Sequence, residues 1–354
     1  MSNLRFAPFG AGFWARYQLA AWQDVPGAIC VALYNRTRGR AEALAQQFGI
    51  PQVYDDAAAL LEREQLDFVD IMTDVDSHPH FVGLAARHGL PVVCQKPMAP
   101  SLALAEEMVA TCGQAGVHFI IHENWRWQTP IRQLKALLDQ AEIGDVFRAR
   151  IRFSSGFPVF DNQPFLKELE QFLLTDIGSH ILDVTRYLFG DAQSLYCQTA
   201  RVRQDIRGED VATVITRHGQ ITCVCELSYA SVPEDERFPE TLILVEGSAG
   251  TIELAPNHWL RLTTRGGTVS RRVAPPRYGW ADPAYDLVHA SIVPCNADIL
   301  RALQTGQPAE TAAQDNIKTV RMVFAAYQSS ALNQVVTLDH PGPGAHPPAS
   351  SGLS

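Results

Sequence analysis

Short apolar runs alternate with segments of helical periodicity over the first third of the chain. The apolar runs have the length of buried strands, and turn-forming or polar residues bound them. They lie at residues 4–9, 28–34, 52–54, 67–72, 90–94 and 118–122. Strands that alternate with helices in this way predict an α/β domain with a parallel, doubly wound sheet.

The pattern changes at Phe147, where apolar and polar residues begin to alternate. This period is typical of strands that bury one face. Such segments recur at residues 147–153, 194–202, 212–217, 221–229, 242–246 and 251–254, and turns such as His218-Gly219 separate them. We therefore predict a second, α+β domain built on a large, mainly antiparallel sheet that is covered by helices on one face.

The C-terminal part is predicted to contain two long helices, at about residues 290–303 and 312–332, with Pro294 bending the first. Residues 341–354 are rich in Pro, Gly and Ser and are predicted to be a disordered tail. A chain of 354 residues is longer than one hydrophobic core usually supports. We assign 1–123 to a dinucleotide-binding domain, 124–340 to a domain for substrate binding and oligomerisation, and 341–354 to the tail.

Composition and charge narrow the classes of function. The net charge of -9 argues against a nucleic-acid or anionic-membrane surface. No apolar run reaches the ~18 residues of a membrane span, and no basic segment leads into an apolar block at the N-terminus, so a cytoplasmic protein is predicted. The seven cysteines are scattered, which suits a reducing compartment. Cys223 and Cys225 are interpreted as packing residues, and no metal site is predicted.

A glycine motif follows the first apolar run. Gly10-Ala11-Gly12-Phe13-Trp14-Ala15 matches the dinucleotide fingerprint G-x-G-x-x-G/A between a predicted strand and a predicted helix. Gly10 permits the tight turn, and Gly12 lets the backbone approach a pyrophosphate, which the helix N-terminus would bind. Pro8 departs from the pattern because proline removes a donor from a central strand. The motif predicts a Rossmann-type dinucleotide site.

The second strand ends at Asn35-Arg36, where the fingerprint usually has an acidic residue for the ribose hydroxyls. Asparagine can still bond a ribose hydroxyl, while Arg36 can pair with a 2′-phosphate. These residues leave NAD and NADP open. Thr73 ends the fourth strand and is predicted to line the cofactor channel, and His78 after it is expected to cap or pack the next helix.

A single lysine stands at the end of the strand at residues 90–94, in the sequence Gln95-Lys96-Pro97. The carboxyl end of a strand is where α/β sheets bind their ligands. Proline fixes the local backbone, and a Lys-Pro bond can be cis. A lysine withdrawn from bulk water becomes usable for proton transfer. The alternative is a surface lysine in a βα loop.

Asp176 and His180 are four residues apart at the start of a predicted helix that runs to Phe189. Helical residues at this spacing share a face. Histidine exchanges protons near neutral pH, and a nearby carboxylate orients it. The alternative is a carboxylate near a helix start with a packed histidine. Asp183 is predicted to be structural.

Two further segments are candidates for substrate contact. Glu123-Asn124-Trp125-Arg126-Trp127 lies at the predicted domain boundary, where clefts bind small molecules and rings beside polar groups suit sugars. Arg126 is predicted to contact ligand, while interdomain packing explains the tryptophans equally well. The loop at residues 157–165, with Phe157 and Gln163, is predicted to set specificity.

The glycine motif, Gln95-Lys96-Pro97 and Asp176-Ile177-Gly178-Ser179-His180 together resemble the Gfo/Idh/MocA oxidoreductases, over about residues 4–335. The family usually has Glu-Lys-Pro where this chain has Gln95. The segments at 122–128 and 156–165 and the Cys-Gln-Lys-Pro form resemble the D-apiose dehydrogenase-like branch of the family. That resemblance implies NAD and the oxidation of an aldose at its anomeric carbon to a lactone.

The resemblance also implies roles for single residues. Lys96 and His180 would transfer the proton and polarise the substrate oxygen, and Asp176 would orient the substrate and support His180. Cofactor contacts are expected from Gly10, Ala11, Gly12, Phe13, Trp14, Asn35, Arg36, Thr73, His78, Gln95, Lys96 and Asn124. Substrate contacts are expected from Lys96, Arg126, Trp127, Phe157, Gln163, Asp176 and His180.

Two alternatives stay open. Arg36 fits an NADPH-dependent reductase of a small carbonyl compound. Gln95 fits a dinucleotide-binding sensor without catalysis, although the retained Lys96, Asp176 and His180 argue against it. The sheet face without helices predicts a homodimer or homotetramer.

Overall fold

The computed structural model describes residues 3–236 and 238–338. In this part of the chain the strands form two sheets, one in each domain. The tail predicted at 341–354 lies outside the described residues. Among the described helices, none combines the length and the apolar character that crossing a membrane requires.

The N-terminal domain is a parallel sheet with helices on both faces. Its elements are β1 (Leu4–Phe9), α1 (Ala15–Gln23), β2 (Ala28–Cys30), β3 (Ala32–Tyr34), α2 (Arg38–Phe48), β4 (Gln52–Tyr54), α3 (Ala57–Arg63), β5 (Phe68–Ile71), α4 (His78–Arg87), β6 (Val92–Gln95), α5 (Leu102–Ala115) and β7 (Phe119–His122). The described strands are ordered β4-β3-β1-β5-β6-β7, with β2 also paired to β1. The strand order reverses between β1 and β5, where doubly wound folds bind their ligands. The predicted Rossmann sheet is confirmed.

Pro8 is accommodated in the central strand by a break in its neighbour. Phe6 pairs with Cys30, whereas Phe9 pairs with Tyr34, so the register shifts by one residue between these pairs. Pro8 lies opposite the break and lacks the N–H that another residue would donate there. The single second strand predicted from the sequence is therefore two short strands, β2 and β3.

The C-terminal domain is built on a larger sheet. Its elements are α6 (Thr129–Asp139), β8 (Val146–Ser154), α7 (Val159–Asn162), α8 (Ser179–Phe189), β9 (Ser194–Ala200), β10 (Val211–His218), β11 (Ile221–Ser228), β12 (Leu242–Gly247), β13 (Gly250–Ala255), β14 (Trp259–Thr264), β15 (Gly267–Arg272), α9 (Asp286–Thr305), α10 (Ala313–Leu332) and β16 (Val336–Thr337). The nine described strands are ordered β15-β14-β13-β12-β8-β11-β10-β9-β16, and of these pairs only β8 with β11 is parallel. The predicted, mainly antiparallel sheet is confirmed.

The C-terminal helices connect the two domains. Met322 of α10 packs in the core of the large sheet, whereas Ile317 and Val320 of the same helix pack in the core of the N-terminal domain. Ile299 of α9 also lies in an N-terminal core cluster. Burial of apolar surface on both sides holds the two sheets at a fixed junction. The carboxyl ends of β6 and β7 face this junction, and the candidate site lies there.

Candidate active site

Lys96 at the end of β6 meets Asp176 of the other domain. The ammonium Nζ donates to Oδ1 of Asp176 at 2.9 Å and to the backbone oxygen of the same residue at 3.0 Å. The side chains are 21% and 16% exposed, so the pair is largely withdrawn from bulk solvent. The Lys96–Pro97 bond is cis. Two residues 80 positions apart in the chain therefore form one charged pair.

Asp176 lies in a turn of π-helix, Leu174–Gly178, directly before α8. The sequence predicted one continuous helix here, and α8 does end at Phe189 as predicted. Single π-helical turns are rare and are frequently found at functional sites. The hydroxyl of Tyr229 lies 3.5 Å from Oδ2 of Asp176. Asp176 thus contacts Lys96 with one carboxylate oxygen and Tyr229 with the other.

His180, in the first turn of α8, is oriented by Glu123. Its Nδ1 lies 2.5 Å from Oε1 of Glu123, the residue directly after β7. The ring stacks on Trp125, with centroids 4.4 Å apart and an interplanar angle of 22°. The carboxylate fixes the proton on Nδ1, so Nε2 is the free acceptor of the ring. Nε2 has no hydrogen-bond partner within residues 3–236 and 238–338.

Glu123 couples the predicted catalytic groups electrostatically. Burial acts to raise the pKa of Glu123, but His180 and, to a smaller extent, the Lys96 ammonium oppose it, and the pKa lies below its ordinary value. Glu123 is therefore a carboxylate at neutral pH. Sequence reasoning did not single out Glu123 within its segment. The available signal was its position, since it follows β7 at the same sheet edge as Lys96.

The glycine loop borders the same edge of the sheet. A Cβ at Gly10, where φ is +116°, would lie 2.7 Å from the carbonyl oxygen of Met72, so only glycine fits there. A Cβ at Gly12 would meet no atom within 4 Å, so the space before the loop is open. Trp14, the N-cap of α1, makes no side-chain cap; the N–H groups of Ala15 and Tyr17 donate to the carbonyls of Gly12 and Trp14, and that of Arg16 is left for a ligand. These features fit a dinucleotide pyrophosphate.

Asn35 braces the glycine loop. Its Oδ1 accepts a hydrogen bond from the N–H of Ala11 at 3.1 Å, and its Nδ2 donates to the carbonyl of Thr37 at 2.9 Å. Arg36 is exposed, and no carboxylate in the described part of the chain pairs with it. Thr73 lies at the switch point, where its hydroxyl accepts from Ser77 at 2.7 Å. The adenosine end of the site thus combines a fixed amide with a free guanidinium.

Comparison with known proteins identifies the family. Residues 4–123 match an oxidoreductase family with an NAD-binding Rossmann fold, and residues 131–253 match the GFO/IDH/MocA C-terminal domain. D-apiose dehydrogenases from Paraburkholderia graminis and Rhizobium rhizogenes are 43% and 41% identical to this chain. Each alignment covers 96% of this chain, and they cover 90% and 98% of the relatives. The chain belongs to the Gfo/Idh/MocA oxidoreductase family. The resemblance that the motifs indicated is confirmed.

A solved Gfo/Idh/MocA-like structure supports the same fold. An oxidoreductase from Agrobacterium radiobacter, crystallised with NAD+, L-tartaric acid and magnesium, superposes with a TM-score of 0.94 at 41% identity. The alignment covers 95% of this chain and 99% of that one. The N-terminal domain of this chain is therefore the NAD-binding Rossmann domain of the family.

Arg126 and Trp127, predicted to contact substrate, are both buried against other parts of the protein. Arg126 is 5% exposed, and its Nε and Nη2 donate to both oxygens of Asp183 at 2.7 and 2.6 Å. Trp127 is buried in the core between the domains, and Arg132 lies 4.1 Å from its ring centroid. The 3-10 turn at Trp125–Trp127 directs these side chains inward. Both side chains are thus packed against the protein, as the packing alternative expects, and ligand contact by either stays a prediction.

His78 and Asn124, expected to contact the cofactor, are both hydrogen-bonded to other parts of the protein. The Nδ1 atom of His78 lies 3.1 Å from the carbonyl oxygen of Pro97, and its Nε2 lies 3.3 Å from that of Thr73. The amide nitrogen of Asn124 donates to the carbonyl oxygen of Val288 at 3.2 Å. Both residues are nearly fully buried. His78 therefore joins the loop after β5 to the loop after β6, and Asn124 anchors α9.

The segment at residues 157–165, predicted to be a loop, contains α7 and the start of a 3-10 turn at Pro164–Glu168, and Phe157 packs there among aromatic rings. Phe157 stacks on Phe238 at 4.2 Å between centroids and meets the edge of Tyr285 at 5.5 Å. The Tyr285 ring also lies 5.9 Å from Phe13 of the glycine loop. Asn162 donates to the Tyr285 hydroxyl at 3.3 Å. Tyr285, which the sequence analysis did not single out, thus joins the cofactor loop to the predicted specificity loop.

Gln163 makes a weaker case for substrate contact. Its side chain is half-buried and has no hydrogen-bond partner in the described ranges 3–236 and 238–338. Its backbone caps the short turn that starts at Pro164. A polar side chain left free beside Asn162 can bond a ligand hydroxyl, so its role stays a prediction.

Proposed function

We propose that this chain is an NAD(P)-dependent sugar dehydrogenase that oxidises an aldose at its anomeric carbon to the lactone. D-apiose is the first candidate substrate. The observation that carries the proposal is the meeting of Lys96, Asp176, His180 and Glu123 at the sheet edge that also presents the glycine loop. The two D-apiose dehydrogenases that align with 96% of the chain support the choice of sugar.

Oxidation of a hydroxyl-bearing carbon requires a proton acceptor and a two-electron acceptor. Bound nicotinamide supplies the two-electron acceptor. His180 accepts the hydroxyl proton on Nε2, because Glu123 holds the other ring nitrogen and stabilises the imidazolium that forms. The Lys96 ammonium donates to the substrate oxygen and is aimed by Asp176. Groups of this kind contribute about 10²–10⁴-fold each to turnover.

Some cofactor-binding groups would serve NAD and NADP alike, and one would distinguish between them. The backbone of Gly10–Ala15 and the start of α1 would bind the pyrophosphate. NAD is the favoured cofactor, since the A. radiobacter structure contains NAD+. Arg36 is the residue that would accept the extra phosphate of NADP, which is the observation behind a carbonyl reductase as the second candidate.

The function is tested by screening aldoses and polyols with NAD and NADP in both directions, followed by nicotinamide absorbance. We expect D-apiose with NAD to give the highest kcat/KM and the product to be the lactone. A Lys96→Met variant, which removes the ammonium and keeps the stem, is the matched control and should lose about a hundredfold or more in turnover. Cofactor binding without turnover of any sugar would instead point to the sensor. Faster turnover of a small carbonyl with NADPH would point to the reductase.

We also propose a homo-oligomer. The helices α8 and α10 cover one face of the large sheet, while the other face displays Phe147, Ile215 and Trp259 at 49%, 40% and 40% exposure. Arginine–glutamate pairs such as Arg150–Glu226 line the same face. Exposed apolar side chains among charged pairs on one face of the sheet suit a second copy of the same surface. Light scattering should give twice or four times the chain mass, and a monomer at micromolar concentration would exclude this.

A cytoplasmic location is part of the proposal. All seven cysteines are free thiols. Burial raises the pKa of several of them, including Cys94 and Cys295, which keeps them unreactive. Free thiols in this number fit a reducing compartment. Fractionation of cells that produce the native chain should place the activity in the soluble cytoplasmic extract, and activity in an oxidising compartment would contradict this.

A further inference from the structure

A row of buried polar side chains, linked by hydrogen bonds, runs across the strands of the N-terminal sheet beside Lys96. We call it the hydrogen-bond chain. It joins side chains from four parts of the Rossmann domain to one of α9, and each is at most 9% exposed. In spatial order the members are Asp70 of β5, Gln18 of α1, Gln95 of β6, His122 of β7 and Asn296 of α9. The reaction assigned to Lys96 and His180 uses none of these groups directly.

Asp70 sets the direction of the chain because an ionised carboxylate can only accept. Gln18 donates through Nε2 to both Asp70 oxygens at 2.8 Å, and Trp22 Nε1 donates to Oδ2 at 2.8 Å. Gln18 must therefore turn its amide nitrogen towards Asp70 and its oxygen towards Gln95. Gln95 in turn donates a hydrogen bond through its amide nitrogen to the side-chain oxygen of Gln18.

The same direction continues to the far end. The Gln95 nitrogen also lies 3.1 Å from Nδ1 of His122, whose Nε2 lies 3.0 Å from Oδ1 of Asn296. Burial lowers the pKa of His122 to about 4, so the ring is neutral and carries one proton. That proton belongs on Nε2 when Gln95 donates to Nδ1. The Gln95 oxygen is left without a partner in the described residues, at the strand end beside Lys96.

We propose that Asp70 is a positioning residue for the dehydrogenase reaction. Acting through Gln18, it fixes which end of the Gln95 amide is available beside Lys96, so that a bound ligand meets an acceptor there and not a donor. The expected effect on kinetics rests on the proposed function. The donor-to-acceptor direction of the hydrogen bonds from Asp70 to Asn296 does not. If every amide in the hydrogen-bond chain exchanged its donor and acceptor ends, the Gln95 nitrogen would face the ligand and the His122 proton would lie on Nδ1.

The prediction is tested with Asp70→Asn, Gln95→Glu and the double variant. The amide introduced by Asp70→Asn would keep its oxygen on Trp22 and offer its NH2 to Gln18, which reverses the chain. The carboxylate introduced by Gln95→Glu can only accept hydrogen bonds, so it requires Gln18 to turn its amide nitrogen away from Asp70. Gln95→Glu is therefore incompatible with the Asp70 carboxylate but compatible with the amide introduced by Asp70→Asn. We expect each single variant to lower kcat/KM about tenfold, the equivalent of one hydrogen bond. The double variant should recover to within about threefold of wild type.

The direction of the chain is read without substrate by NMR of the His122 ring nitrogens. The wild-type proton should be on Nε2, and Asp70→Asn should move it to Nδ1. Trp22→Phe removes a donor to Asp70 without reversing Gln18, and is the control that should keep Nε2–H and kcat/KM within about threefold. If Asp70→Asn does not fold, the comparison of kcat/KM between Gln95→Glu and the double variant decides.

Each outcome of these experiments decides the inference. An Nε2–H signal in folded Asp70→Asn, unchanged kinetics in the single variants, or losses that simply add in the double variant would overturn it. A wild type that binds NAD but turns over no sugar would defeat the proposed function alone, since the NMR result stands apart from it.

Discussion

Glu123→Gln is the change that most sharply separates a catalytic His180 from a packed one. The variant keeps the shape of the side chain and removes the negative charge that lies 2.5 Å from Nδ1 of His180. It leaves no unpaired charge behind, because the imidazole can be neutral beside an amide. The ring also stays packed on Trp125, at 4.4 Å between centroids. The fold should therefore persist while the ring loses the carboxylate that orients it.

The expected loss follows from the strength of the contact. A hydrogen bond to a charged group contributes about 1.5–3 kcal/mol, and about 1.4 kcal/mol corresponds to a factor of ten. The Glu123 carboxylate also stabilises the imidazolium that forms when His180 takes the proton. We therefore expect kcat/KM with the preferred sugar to fall about 10- to 100-fold. NAD affinity, measured by calorimetry, should change by less than about threefold, since Glu123 does not lie on the glycine loop.

The matched control is Glu310→Gln. Glu310 also pairs with a cation at the domain junction, accepting from Arg132 at 2.8 and 2.9 Å, but both side chains are about one third exposed. Exposed pairs of this kind contribute at most about 1 kcal/mol, so its kcat/KM should stay within about threefold of wild type. Equal kinetics for Glu123→Gln and wild type, or a parallel loss of NAD affinity, would refute the role given to the pair with His180.

Three further predictions follow from other parts of the site. Lys96→Ala and His180→Ala should each lower turnover about a hundredfold or more with little change in NAD affinity; a loss below about tenfold in stopped-flow turnover would remove that residue from the mechanism. Arg36→Ala should lower kcat/KM with NADP about tenfold and leave NAD nearly unchanged, whereas equal effects on both cofactors would show that Arg36 does not read the phosphate. Burial raises the pKa of Asp70 from 3.8 to about 6, against the bonds from Trp22 and Gln18, so its contribution to stability is fully present below pH 3.8 and is lost as the pH rises through about 6. Denaturant unfolding should show a loss on the order of 3 kcal/mol over that range that Asp70→Asn lacks, and the same loss in both proteins would contradict it.

The sequence predicts which strand and helix ends carry the site residues better than it predicts which way a single side chain points. Lys96, Asp176 and His180 were predicted because each stands where a strand ends or a helix begins. In Glu123–Trp127 the same reasoning favoured Arg126, yet the 3-10 turn sends the guanidinium to Asp183 and leaves Glu123 to hold His180. Which member of a short segment faces a cleft depends on tertiary packing, which no local pattern encodes.

Other features were out of reach for similar reasons. Tyr285 enters the site because α9 packs across the domain junction, and it bonds Asn162 from 123 residues away in the chain. The hairpin of β14 and β15 was not predicted, because all six residues of β15 are exposed and give no apolar alternation. The break between β2 and β3 became visible only with its register against Pro8.

The central claim is that the side chains of Lys96 and His180 converge on one hydroxyl of a sugar beside the nicotinamide. A crystal structure of the chain with NAD+ and an unreactive analogue of the sugar tests this most directly. We predict that Nζ of Lys96 and Nε2 of His180 both lie within hydrogen-bond distance, about 2.6–3.2 Å, of the same sugar oxygen. A sugar bound elsewhere, or an oxygen that reaches neither atom, would contradict the claim.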